Sequence, residues 1–126
     1  MTDFEGLDFH HADLAITVAR TAEGVTLYLS GTADVHAIAP LGAILPKLHA
    51  EVLRLALPEV VIDIQGLEFM NSSCLKAFVS WIALDQDTAP GQQYKIRFVR
   101  NQALAWQRRT ISALACFAVD LIQPVT

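Results

Sequence analysis

Five residues near the middle of the chain, Val60-Val-Ile-Asp-Ile64, restrict its possible folds more than any other feature. They are almost continuously apolar and β-branched, which is the composition of a strand that lies centrally in a sheet and is buried on both faces. Two shorter runs precede it. Leu14, Ile16 and Val18 alternate with Ala15, Thr17 and Ala19, and Val25, Leu27 and Leu29 alternate with Thr26, Tyr28 and Ser30. Joined through Arg20–Gly24, they predict an antiparallel hairpin with one buried face that ends at Gly31. Residues 1–12 show no period and read as a tail or lead-in.

Helical spacing fills the intervals. Leu41, Leu45, Leu48, Val52 and Leu55 make one apolar stripe, with Pro40 suited to the first turn and Pro46 predicting a kink or a break. Gln65-Gly66 predicts a loop after the central strand, followed by a second helix over about Ser72–Leu84 on Leu75, Phe78, Val79 and Ile82. Asp85–Gly91 reads as a polar turn. Tyr94, Ile96 and Phe98 predict a further strand, Leu104, Ile111 and Leu114 a third helix, and Val119–Ile122 a short last strand. The order ββαβαβαβ predicts a single α/β domain over residues 1–126, a mixed sheet with crossover helices packed on it.

At 126 residues the chain fits one domain, and 53% hydrophobic residues suffice for a core. The mean hydropathy is +0.38, yet no apolar run approaches the roughly 20 residues of a spanning helix. The acidic start lacks the order of a signal peptide, which predicts a cytoplasmic protein without membrane insertion. A net charge of −4 disfavours nucleic acid. Cys74 and Cys116 are far apart and read as reduced core residues. His10, His11, His36 and His49 have no spacing that makes a metal site, and no cofactor is implied. An enzyme is not expected: a hydrolase built from Ser72, Asp63 and a histidine would lack the G-x-S-x-G elbow.

The segment with chemistry in it is Met70-Asn-Ser-Ser-Cys-Leu75. Asn71 is a good N-cap, and Ser72 would open the helix with its hydroxyl beside the amides of the first turn. A phosphate there adds about −1.5 to −2 charge at an end that favours anions, so the fold should survive it. A partner packed over the site would have to desolvate that charge, so one hydroxyl could switch one interface. Ordinary capping chemistry accounts for the same residues.

Asp63-Ile-Gln-Gly-Leu-Glu-Phe-Met-Asn-Ser-Ser-Cys-Leu75 resembles the signature of STAS domains, the anti-sigma-factor antagonists and their relatives. In that family a buried strand ends in Asp-Leu or similar, and the next helix opens with Asp-Ser-Ser-Gly. The resemblance runs from about Leu14 to Ile122 in order of elements, and Ser30-Gly31 fits it. Asn-Ser-Ser together with Trp106-Gln107 is similar to small stand-alone STAS-like regulators. The resemblance implies a STAS-like fold and partner switching. A serine kinase of the histidine-kinase-like ATPase type would phosphorylate Ser72 (alternatively Ser73), a phosphatase would reverse it, and the unmodified form would bind the kinase or an anti-sigma factor. The partner-binding surface would comprise Met70, Asn71, Ser72, Ser73, Cys74 and Lys76, with Asp63 positioning the loop. Asn71 stands where the family has aspartate, and Cys74, in place of glycine, is expected to crowd a partner's approach. Two other roles fit the resemblance: a constitutive, unphosphorylated subunit of a larger assembly such as a transporter complex, and a sensor of a nucleotide or lipid. The high apolar fraction is compatible with a homodimer.

Arg97, Arg100, Arg108 and Arg109 could form a docking patch or simply a solvated face. Trp81 and Trp106 fall off the main stripes of their helices, which predicts either half-exposed anchors or core residues.

Overall fold

A computed structural model describes residues 8–11, 13–22, 24–118 and 121–123. Six strands form one sheet in sequential order: β1 (Phe9–His11), β2 (Leu14–Arg20), β3 (Gly24–Ala33), β4 (Glu59–Met70), β5 (Lys95–Val99) and β6 (Ile122–Gln123). β1, β2 and β3 pair antiparallel, and β3 to β6 pair parallel. Helices α1 (Ile38–Leu55), α2 (Ser72–Gln86) and α3 (Ala105–Phe117) supply the crossovers that parallel neighbours require. This is the α/β mixed sheet expected, with one more strand at the front.

The extra strand corrects the reading of residues 1–12 as a tail. Phe9 pairs with Ile16 and packs against the core, and the Asp8 carboxylate accepts a hydrogen bond from the Val18 amide. Three residues are too few to show a period, so only the partner strand reveals them. Residues 1–7 of that expectation lie outside the described part.

The inward residues of β2 to β5 join those of all three helices in one core. The other sheet face carries Thr17, Tyr28, Ser30, Asp63 and Arg97. β4 is therefore central but not buried on both faces: Val61 is shielded by its strand neighbours Thr26 and Arg97, while Asp63 is only half-buried.

Three boundaries also differ from expectation. Gly31 does not end β3, which runs on to Ala33. Its φ of +91° turns the strand past the Asp13 carbonyl, which a Cβ would strike at 1.7 Å, and Thr32 then donates to that carbonyl at 2.9 Å. Pro46 does not break α1, which is continuous. It lies on the exposed face with Gly42, whose carbonyl loses its helical partner where water can replace it. The last strand is Ile122–Gln123, with Leu121 in a turn before it, and positions 119 and 120 of the expected strand lie outside the described part.

Asp85 does not belong to a polar turn. It is buried in the last turn of α2, where its Oδ1 accepts the Tyr94 amide at 3.1 Å. Beside it Tyr94 is fully buried, and its Oη lies 2.8 Å from His49 Nδ1. Burial pushes the tyrosine up and the histidine down, which favours the uncharged form of both partners in this hydrogen bond. Trp81 packs on Tyr94 at 6.2 Å between centroids and is a core residue, not an exposed anchor.

Candidate docking site at the start of α2

The predicted loop between the central strand and α2 is strand. β4 continues through Gln65 and Gly66 to Met70, paired with β3 as far as Ala33. Two register shifts place extra residues on β4, one beyond Asp63 and one beyond Leu67. At the first, Asp63 Oδ1 accepts the Gln65 amide at 3.0 Å. The carboxylate thus takes up a backbone donor that the bulge leaves over.

Among the described residues no strand lies along the second edge of this extension, because β5 pairs with β4 only over Glu59–Asp63. Side chains from the α3 region replace the missing strand. Gln107, fully buried, donates from Nε2 to the carbonyls of Ile64 (2.6 Å) and Leu67 (2.8 Å), and its Oε1 accepts the Asn101 amide at 2.6 Å. Asn101 donates to the Gln65 carbonyl at 3.2 Å, and Trp106 Nε1 to the Glu68 carbonyl at 2.9 Å. The Trp106-Gln107 pair therefore fixes the segment that leads into α2, and Trp106 is half-buried over it.

From Met70 the chain enters α2 through Asn71, whose backbone is extended (φ −64°, ψ 143°). Its amide donates to the Ala33 carbonyl at 2.7 Å, and its Oδ1 accepts the Ser73 amide at 2.8 Å. Its own carbonyl accepts from Cys74 and Leu75. Asn71→Ala removes the cap and is expected to destabilise by about 1 kcal/mol, lowering the melting temperature by about 3–5 °C in circular dichroism. An unchanged melting temperature would show that the cap contributes nothing.

Ser72 and Lys76 are exposed, and Met70, Asn71 and Ser73 are half-buried. Cys74 departs from expectation. It is fully buried, and its thiol donates to the Asp34 carbonyl at 3.2 Å. Burial raises the pKa of the thiol, and the nearby Asp34 charge adds to this, so it stays protonated and points away from any partner. Cys74 ties the helix start to the segment after β3 and does not crowd the surface. Cys116, read as core, is exposed.

Two apolar residues beside the motif escape the sequence reading. Phe69 is 50% exposed, and Val35, just beyond the pairing of Ala33 with Met70, is 59% exposed. Both sit in segments that read as connections, so no period marks them. Exposed aromatic and aliphatic groups flanking a serine at a helix start suit a protein interface. Of the arginines, Arg97 is committed to Glu59 at 3.4 Å on the open sheet face, while Arg108 and Arg109 are exposed on α3.

No protein-family model matches the chain, and no curated protein sequence does. Among solved structures it is similar to an anti-sigma factor antagonist from Mycobacterium paratuberculosis, with a TM-score of 0.60. The two share 19% sequence identity over 89% of this chain and 86% of the other. The likeness establishes the fold of that antagonist, the STAS-like fold, for this chain.

Proposed function

We propose that the chain is a protein-binding regulator of the anti-sigma-factor-antagonist type, switched by phosphorylation of Ser72. The observation that carries this reading is the exposed Ser72 at the first position of α2, with the exposed Phe69 three residues before it and the exposed Val35 two residues beyond the pairing of Ala33 with Met70. The docking surface is Met70–Ser73 with Lys76, and Cys74 supports it from beneath. The fold shared with a solved antagonist supports the general role. Phosphate on Ser72 lies one turn before Lys76, near enough to pair with it on the helix, so the modified domain remains folded while the surface becomes anionic. An anti-sigma factor or a cognate serine kinase that packs apolar groups on Phe69 and Val35 then has to desolvate a dianion and is released. A phosphatase restores binding. Asn71 caps the helix in either state.

The test is peptide mass spectrometry on the protein isolated from its own cells, comparing wild type with Ser72→Ala. The expected result is a phosphate on the Met70–Lys76 segment that the substitution removes. Ser72→Glu should leave the melting temperature within the few degrees that correspond to about 1 kcal/mol, while releasing any partner that Ser72→Ala retains. A protein that stays unmodified, including in extract of its own cells supplied with ATP, would overturn the switch and favour a constitutive binding subunit.

A further inference from the structure

A groove of about 610 Å³ lies between α1 and α2, lined on one wall by Ile38, Gly42 and Pro46 and on the other by Ser73, Ala77, Ser80 and Leu84. A Cβ on Gly42 would meet no atom within 4 Å, so that wall is open. Helical phase puts Ser73, Lys76, Ala77, Ser80, Leu84 and Asp87 along one face of α2. Leu84, at 39% exposure, is the large apolar group on this face, and its neighbours there are small.

The charges on this face are ordered. Lys76 lies in the second turn of α2, and Asp87 is its C-cap, three turns or about 16 Å further on. Neither side chain has an ion-pair partner among the described residues. Each also stands towards the end of the helix that its own dipole disfavours, cation near the N-terminus and anion at the C-terminus. An antiparallel copy of the same helix corrects both placements, bringing Lys76 to a helix C-terminus and Asp87 to a helix N-terminus.

We propose that this face binds a second copy of the chain across a two-fold axis. The two α2 helices then run antiparallel, Lys76 of each copy pairs with Asp87 of the other, and Leu84 of each enters the groove beside Ala77 and Ser80 of the other. Such an interface is self-complementary, as a two-fold dimer demands. It is also small, which places it among weak, reversible associations.

The test is sedimentation equilibrium of the full chain from about 5 µM to about 1 mM at low salt, a range that covers weak interfaces. The expected mass rises with concentration from 13.8 kDa towards twice that value. Lys76→Glu and Asp87→Lys should each raise the dissociation constant at least about tenfold, and the double reversal should restore it. Both positions are exposed, and each reversal puts a charge where the helix dipole favours it, so each variant should melt no lower than the wild-type monomer, which is checked alongside. A chain monomeric throughout, a dimer indifferent to the single reversals, or a double variant that stays dissociated would each overturn the proposal.

Discussion

Gln107→Leu should destabilise the protein by about 3–5 kcal/mol, because it removes three hydrogen bonds at a fully buried position and leaves backbone groups unpaired. Leucine roughly fills the space, so the loss is one of polar satisfaction more than of packing. The carbonyls of Ile64 and Leu67 cannot turn to another strand, since β5 ends its pairing at Asp63. Gln107→Glu should be worse than leucine: it keeps an acceptor for the Asn101 amide but sets a carboxylate against two carbonyl oxygens. The effect should also be directional. Ile64–Met70 leads into Asn71, so amide hydrogen exchange should accelerate first over the end of β4 and the start of α2. Urea unfolding and exchange mass spectrometry measure the two parts. A loss below about 1 kcal/mol, or exchange raised evenly over the chain, would remove Gln107 from its role in fixing the end of β4 and the start of α2.

The second large effect depends on pH. Burial pushes the Asp85 carboxyl up to about 6, against the Tyr94 amide and the Lys95 charge, which pull it down. Its Oδ2 has no hydrogen-bond partner among the described residues. A folded-state pKa above the unfolded value of 3.8 means that the native state holds this proton more tightly. The contribution is most favourable below the unfolded pKa and declines as pH rises from about 4 through about 6. Its total is about 3 kcal/mol, and above that window the charged carboxylate remains as a constant cost. Asp85→Asn keeps an oxygen for the Tyr94 amide and cannot ionise. The stability of the variant relative to wild type should therefore improve by about 2 kcal/mol between pH 4 and pH 7. Any cost of burying the new amide group is independent of pH and cancels in this comparison. Urea midpoints at several pH values give the result, and a constant difference across the range would show that folding leaves the affinity of Asp85 for its proton unchanged.

Local signals carried most of the architecture. Alternation in β2, β3 and β5 and the apolar stripe of α1 depend on which face meets the core, and that is written in side-chain order. The start of α2 was legible for the same reason. A helix N-cap is satisfied by the residue that forms it, and Asn71 bonds the Ser73 amide only two positions on. The composition of β4 placed it centrally, and the Asn-Ser-Ser segment marked where to look.

What the tertiary structure decided involves groups far apart in the chain. The bulged extension of β4 reads as a loop because its edge is completed by Asn101, Trp106 and Gln107, about 40 positions later. Cys74 turns inward because its thiol finds the Asp34 carbonyl across the fold, and Asp85 is buried because the amide of Tyr94 comes to meet it. Val35 comes to the end of the sheet that carries Phe69 and Ser72 only through the pairing of β3 with β4. Periodicity reports whether a face is apolar. It cannot report which distant backbone group needs a partner, and the requirement that buried polar groups be paired fixes those choices only once the chain has folded.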